Sequence, residues 1–287
     1  MPITGTTRVV GIFGDPVAHS LSPLMQNAAL RAAGIDAVFV PFHVTPAQLC
    51  AALAAVRALG LVGVNLTIPH KEAACMLVDE LDPAAALIGA VNTVVAREGR
   101  LIGYNTDGIG LLNALRRELA LELVGRRALV VGAGGAARAA VVALAQAGVA
   151  WLGVANRTPE RAERMVGELS PKLQGTAFAP LPLDADLPDR LGTPVDLLVN
   201  STAVGLQGEL FGFPLERCVR AGGVVYDMTY GRGATRLVLS ARAAGLAAAD
   251  GLGMLSGQGE EAFRLWFGVP APEGVMRSVL ATASGEK

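Results

Sequence analysis

Cysteine is scarce in this 287-residue chain, and the three present (Cys50, Cys75 and Cys218) are odd in number and far apart. No CxxC pair occurs, so neither a zinc site nor a disulfide framework is indicated. Reduced thiols in the cytoplasm are the expectation that follows. Histidine is also rare, and His19, His43 and His70 show no metal-ligand spacing. His43 is expected as a packed or edge residue on a strand, and His70 has no evident partner. An excess of one charge is missing too: 24 Lys and Arg stand against 25 Asp and Glu, a formal net charge of −1. That balance removes the electrostatic case for nucleic acid or an anionic membrane surface as a partner. No apolar run is long enough to span a membrane. The uncharged stretch 139–155 contains Gln146 and Gly148 and divides into a helix, a turn and a strand. Residues 1–14 lack the layout of a signal peptide.

What is plentiful is glycine, with 35 residues, and hydrophobic side chains, at 52 %. The length suits about two domains. Val/Ala-rich runs alternating with glycine turns predict an α/β protein with buried parallel strands. Strands are expected at 9–14, 37–44, 62–66, 90–96 and 101–104, the last two around a Glu98-Gly99 turn. Helices are expected at 23–33, after the Thr45-Pro46 start as far as Gly60, and from Pro69 onward. This half reads as a mainly parallel βα layer. A helix over 108–119 leads into a second half, with a strand at 128–131, a helix at 135–146 and a strand at 151–155. Later strands are expected at 197–199, 224–226 and 247–249. The Pro-, Asp- and Gly-rich segment 172–194 reads as irregular. Two last helices, 254–266 and 273–281, have no strand after them and are expected to pack back on the first domain.

A cofactor signature stands at Gly132-Ala133-Gly134-Gly135-Ala136-Ala137, after a strand and at the opening of a helix. Gly132, Gly134 and Ala137 match the G-x-G-x-x-G/A spacing of dinucleotide sites. The first glycine allows a tight turn, and the second lets backbone N–H groups approach a pyrophosphate. The small third residue lets helix and strand pack closely, and the helix N-terminus favours anionic phosphates. At the end of the next strand, NAD sites place an acidic residue for the ribose hydroxyls. Here the chain reads Asn156-Arg157-Thr158-Pro159-Glu160-Arg161. Thr158 is a candidate N-cap, which puts Arg161 in the first helical turn, where the dipole disfavours a cation. A bound anion offsets that misplacement, so Arg157 and Arg161 are expected to clamp a 2′-phosphate, favouring NADP(H). The plain alternative pairs Arg161 with Glu160 or Glu163 on a solvated surface.

Two further residues carry a proton-transfer chemistry. Lys71, in Asn65-Leu66-Thr67-Ile68-Pro69-His70-Lys71, is expected in the first turn of a helix at a strand's C-terminal edge, where the positive helix end disfavours its charge. Asp107, in Tyr104-Asn105-Thr106-Asp107, precedes a helix, and on its own reads as an N-cap. An ammonium beside a carboxylate can move a proton to or from a hydroxyl while a nicotinamide carries the hydride. Together they suggest a reversible alcohol–ketone oxidoreductase. Ser20 and Ser22 can bind a carboxylate at the next helix start, and Ser22 is also expected to cap it.

The ordered set of these motifs resembles the shikimate dehydrogenase family along nearly the whole chain. It runs through Gly14-Asp15-Pro16, Ser20-Leu21-Ser22-Pro23, the Asn65–Lys71 run, Gly89-Ala90-Val91-Asn92-Thr93, Gly103–Gly108 and the glycine loop. It continues with Asn156-Arg157-Thr158, Asn200-Ser201-Thr202, Tyr226-Asp227-Met228-Thr229-Tyr230 and Gly257-Gln258-Gly259. The resemblance implies NADPH-dependent reduction of 3-dehydroshikimate to shikimate, a step toward aromatic amino acids. It implies a substrate domain of residues 1–107 and 252–287 and a Rossmann-type NADP-binding domain of 108–251. It assigns Lys71 and Asp107 to proton transfer, Ser20, Ser22 and Tyr230 to the substrate carboxylate, and Thr67, Asn92 and Gln258 to ring hydroxyls. The cofactor is placed along 132–138, Arg157, Arg161, Met228 and Gly251. Three departures stand out. Gln26 replaces a frequent histidine, Ala203 follows Asn200-Ser201-Thr202 in place of proline, and the Tyr230–Gly233 turn lacks one. They keep open a relative with broader quinate or cofactor choice, and a sensor that binds NADP without turnover is a further alternative. The partners implied are small molecules, with no nucleic acid or membrane, in a monomer or homodimer.

Overall fold

The computed structural model describes residues 2–205 and 209–285. The chain divides into two compact units, one of Met1–Gly110 and Leu255–Ala283, the other of Leu111–Met254 with the chain end from Ser284. The chain passes between the units three times, at 110/111, 254/255 and 283/284, each time inside a helix.

The first unit opens with β1 (Arg8–Gly14), α1 (Ser22–Ala32), β2 (Ala37–His43), α2 (Leu49–Ala58) and β3 (Gly63–Leu66). It continues with β4 (Glu80–Leu81), α3 (Pro83–Ile88), β5 (Thr93–Arg97), β6 (Arg100–Tyr104) and the start of α4 (Asp107–Leu119). The sheet order is β2-β1-β3-β5-β6-β4. Five strands run one way, and β5 is antiparallel to both its neighbours. The cause is local. Glu98 and Gly99 have φ of 52° and 75°, the left-handed pair that a two-residue hairpin needs, so β5 and β6 must reverse. Leu53, Val64, Leu66, Val94 and Leu101, all 2 % exposed or less, form the core of this unit.

The second unit holds β7 (Arg127–Val131), α5 (Gly135–Gln146), β8 (Trp151–Asn156), α6 (Pro159–Leu169), β9 (Ala177–Pro182) and α7 (Leu187–Leu191). Then come β10 (Val195–Asn200), α8 (Leu215–Cys218), β11 (Val219–Asp227), α9 (Arg236–Ala243) and β12 (Ala247–Ala249). All pairings are parallel, in the order β12-β11-β10-β7-β8-β9. This is the doubly wound order in which successive strands leave a central one first to one side and then to the other. The switch falls between β7 and β10. Strands buried on both faces explain why β7 and β10 read as near-continuous apolar runs.

The chain returns through α10 (Leu252–Phe267) and α11 (Val275–Ser284). From Leu255 to Ala283 these helices belong to the first unit. The Trp266 indole N–H donates to the Val94 carbonyl at 3.0 Å, and Gln26 Nε2 donates to the Gly259 carbonyl at 3.0 Å. The second bond gives Gln26, 1 % exposed, a place joining α1 to α10. No helix among the described residues is long and apolar enough to cross a membrane.

Two expectations need correction. Pro69 does not open an α-helix; the chain turns there, and a short 3-10 segment follows at Ala73–Met76. The Lys71 carbonyl is taken by the Val91 N–H at 2.8 Å, so it cannot serve the next helical turn. The segment 172–194 is not irregular, since it contains β9 and α7. Pro180 and Pro182 mislead because proline removes ladder donors, yet β9 is an edge strand, where this is tolerated.

Candidate active site

The sheet edge at the C-terminal ends of β1, β3 and β6 gathers the polar residues of the first unit. Because β5 is reversed, its entrance lies at the same edge, which brings Asn92 and Thr93 to it. Asn65, Thr93 and Tyr104 are in register across β3, β5 and β6. Asn105 Nδ2 donates to the Ala90 carbonyl at 3.0 Å, and the Thr106 N–H donates to Asn92 Oδ1 at 2.8 Å. These bonds clamp the 105–107 turn onto 90–92.

Asp107 is the first residue of α4, but its carboxylate does not cap that helix. Lys71 Nζ donates to Asp107 Oδ2 at 2.6 Å, and Asn92 Nδ2 donates to Oδ1 at 2.8 Å. The Lys71 side chain is 29 % exposed and that of Asp107 10 %, so the pair is sheltered with the ammonium still reachable. The helix-end argument for Lys71 falls away with the helix; what addresses it is Asp107. His70, expected without a partner, is buried and donates from Nε2 to the Val44 carbonyl at 2.7 Å. It anchors the turn that presents Lys71. His43 lies on an edge strand, 2.7 Å from Asp15.

The remaining expected residues fall into place unevenly. Thr67 follows β3, its N–H donating to the Phe13 carbonyl at 3.0 Å. Ser22 is buried but is not the cap of α1; that position is Leu21, and the Ser22 N–H donates to Ser20 Oγ at 3.2 Å. Gln258, on α10, accepts from Thr106 Oγ1 at 3.4 Å and donates to the Leu255 carbonyl at 3.0 Å. Asn92 gives its amide to Asp107 and to Thr106, at 2.8 and 3.0 Å, which makes it a holder of the carboxylate as well. Tyr230 belongs to the other unit and is 37 % exposed. Sequence reasoning gives Asn65, Thr93 and Thr106 no role. Asn65, 4 % exposed, donates to Thr93 Oγ1 at 3.0 Å. The signal that could have found it is a polar residue inside an apolar buried strand.

In the second unit the expected cofactor residues lie at the C-terminal strand edge, where doubly wound sheets bind ligands. Gly132–Ala136 follow β7, Asn156 ends β8 with Arg157–Arg161 after it, Met228 follows β11 and Gly251 follows β12. Gly134 is the N-cap of α5 and supplies no side-chain acceptor, so the first helical N–H groups are available to an anion. Ala137 is fully buried. A Cβ on Gly251 would overlap the Met228 carbonyl, so glycine lets those two segments touch.

Asn156 Nδ2 donates to the Thr158 carbonyl at 2.9 Å, shaping the turn after β8. Thr158 occupies the N-cap position of α6, but its hydroxyl makes no capping bond. Arg157 and Arg161 are exposed. Among the described residues neither is paired with a carboxylate, Glu160 and Glu163 included; on α6 it is Glu168 that pairs, with Arg138 at 2.6 Å.

Comparison with known proteins agrees with this arrangement. The family model for the shikimate dehydrogenase substrate binding domain matches residues 12–94. That for shikimate / quinate 5-dehydrogenase matches 114–204, and that for the shikimate 5′-dehydrogenase C-terminal domain matches 251–281. A shikimate dehydrogenase (NADP(+)) of Citrifermentans bemidjiense is 50 % identical over 98 % of this chain and 97 % of its own. The chain belongs to the shikimate dehydrogenase family. Among solved structures, shikimate 5-dehydrogenase of Thermus thermophilus, in complex with NADP(H) and shikimate, is 39 % identical with a TM-score of 0.84. That match covers 96 % of this chain and all of the other. A 5-ketofructose reductase of a Gluconobacter species is 32 % identical with a TM-score of 0.89, covering 98 % and 100 %.

Two glycines of this shikimate dehydrogenase family member separate fold from cofactor. Gly132 has φ of 118°, and a Cβ there would overlap the Ser201 hydroxyl, which is itself held on the Val131 carbonyl. Gly132→Ala is expected to cost about 1–3 kcal/mol of stability, read as a lowered Tm. Gly134 has ordinary φ and open space about its Cβ position. Gly134→Ala should leave Tm unchanged and weaken NADPH, because the methyl enters the space a pyrophosphate would take. A Gly134→Ala protein that binds NADPH normally would put the phosphates elsewhere.

Proposed function

We propose that the chain catalyses the reversible NADP(H)-dependent reduction of 3-dehydroshikimate to shikimate. The observation that carries this reading is the 2.6 Å Lys71–Asp107 pair at a ligand-binding strand edge, in a chain of this family. Bound NADPH would supply the hydride for the ketone carbon. Lys71 supplies the proton to the ketone oxygen, and in the reverse direction takes it from the hydroxyl. Asp107 orients the ammonium and balances its charge, and Asn92 keeps Asp107 turned away from its own helix. A positioned donor of this kind contributes about 10²–10⁴ in rate.

Ser20 and Ser22 offer hydroxyls to the substrate carboxylate, and Tyr230 is a third such group. Thr67, Asn92 and Gln258 are assigned to the ring hydroxyls. The Gly132–Ala136 turn and the amide groups opening α5 suit the pyrophosphate. Arg157 and Arg161 suit a 2′-phosphate, with Asn156 and Thr158 shaping their turn. Met228 and Gly251 would border the nicotinamide half. The partners are small molecules, for a monomer or homodimer, and three free thiols suit the cytoplasm.

Purified protein is expected to reduce NADP+ with shikimate, followed by the absorbance of the reduced nicotinamide. It should turn over quinate and NAD+ far more slowly. Comparable rates on quinate or with NAD+ would make it the broader dehydrogenase. NADPH binding without turnover on any of these pairs would replace catalysis with a sensor role.

A further inference from the structure

The last paired position of β10 and β11 sets Asn200 directly opposite Asp227. Both are fully buried, and both end strands whose neighbouring residues are apolar. Asp227 Oδ1 accepts from Asn200 Nδ2 at 3.0 Å and from the Thr229 N–H at 3.1 Å. Its Oδ2 accepts from Thr235 Oγ1 at 2.7 Å. No Lys, Arg or His among the described residues pairs with it, so this is a buried carboxylate held by neutral donors. Burial pushes its pKa up, against the pull of those hydrogen bonds. Such a group costs stability that an apolar side chain would not.

What the carboxylate gains is connection. Asn200 Oδ1 accepts from the Thr202 N–H at 3.1 Å and the Thr202 hydroxyl at 2.7 Å, while Nδ2 also donates to the Val204 carbonyl at 3.0 Å. The Thr235 hydroxyl accepts from the Val238 N–H at 3.3 Å, capping α9. The Met228 N–H donates to the Asn200 carbonyl at 2.8 Å, and the Gly251 N–H to the Thr229 carbonyl at 2.9 Å. One carboxylate therefore ties together the turn after β10, the 228–230 loop and the start of α9. The loop it holds carries Met228 and Tyr230 and touches Gly251.

We infer that Asp227 is a positioning residue, whose buried carboxylate holds the 228–230 loop in the shape that receives the nicotinamide half of the cofactor. The inference rests on the cofactor placement proposed above. It acts on one half of that cofactor only, because the arginines after β8 make no hydrogen bond to the Asn200–Asp227 network.

The test compares NADPH with adenosine 2′,5′-bisphosphate, a fragment that carries the 2′-phosphate and lacks the nicotinamide. Asp227→Asn keeps one acceptor oxygen and replaces the other by an NH2 group, so the carboxylate loses its hold at one of its two ends, on Asn200 and Thr229 or on Thr235, and the loop should loosen. NADPH affinity is expected to fall about tenfold and kcat to fall with it. Bisphosphate affinity should change by less than about twofold, with Tm unchanged or raised. Thr235→Val, which removes one donor to the carboxylate together with the cap of α9 and places no amide, should weaken NADPH about threefold, and Thr235→Ser should restore it. Equal loss of NADPH and bisphosphate, with a lowered Tm, would overturn the inference in favour of a role in folding alone. Unchanged NADPH binding and turnover in Asp227→Asn would overturn it too, as would equal behaviour of Thr235→Val and Thr235→Ser. If Asp227→Asn does not fold, the Thr235 pair decides. Wild-type protein that binds NADPH but not the bisphosphate would overturn the 2′-phosphate placement instead, leaving the loop measurements to stand.

Discussion

Lys71→Ala is expected to lower kcat about a hundred- to ten-thousandfold, with KM for shikimate changed only a few-fold. The reason is where the lysine acts. In the mechanism proposed above its proton moves as the ketone oxygen gains charge, which makes the interaction stronger in the transition state than with bound substrate. Loss of such an interaction lowers kcat and kcat/KM together. The geometry supports that role over simple binding. Nζ is 2.6 Å from Asp107 Oδ2, and the turn that presents it is anchored by the buried His70 and by the Val91 N–H on the Lys71 carbonyl. An ammonium held in this way meets its reacting oxygen without a reorientation cost. Stability should change little, since Asp107 keeps its bond from Asn92 and its side chain retains some access to water. Steady-state kinetics in both directions, with a Tm measured alongside, checks the prediction. Full kcat with only KM raised would demote Lys71 to a binding residue.

The chain states some of this plainly and conceals the rest, for physical reasons. The Gly132 turn is legible because a tight turn, a close approach and a helix start each demand particular residues within a short span. The β5–β6 hairpin is legible from Glu98-Gly99 for the same reason. The 177–182 strand is not, because its prolines argue against a ladder unless it is known to be an edge, and edges are a property of the whole sheet. The sequence singles out Lys71 but puts it on a helix that does not exist. The bond that ends that reading joins residues 71 and 91, and no local pattern announces a pairing over that distance. Asn92 reads only as a ligand for the substrate; its hold on Asp107 depends on the reversal of β5. Asn200 and Asp227 stand out only as parts of motifs. Their buried pairing follows from strand register, which a sequence shows only once the sheet order is known.

Arg157→Ala is expected to weaken NADPH about ten- to a hundredfold and NADH by less than about twofold, the scale of a lost charge-assisted hydrogen bond. Three observations converge on the phosphate. Arg161 occupies the first turn of α6, where the helix dipole repels a cation. Thr158, at the cap position, makes no bond from its hydroxyl to the helix, so that hydroxyl is available to a phosphate as well. Both arginines are exposed and make no ion pair among the described residues. Arg157→Lys should recover only part of the affinity, because an ammonium cannot reproduce the planar fork of a guanidinium on a phosphate. The NADPH preference should also shrink as salt rises, since exposed charges are screened within about 10 Å at 0.1 M ionic strength. Titrating both cofactors into wild type and variants at two salt concentrations separates the terms. Equal losses for NADPH and NADH, independent of salt, would mean that Arg157 supports the turn after β8 and does not read the 2′-phosphate.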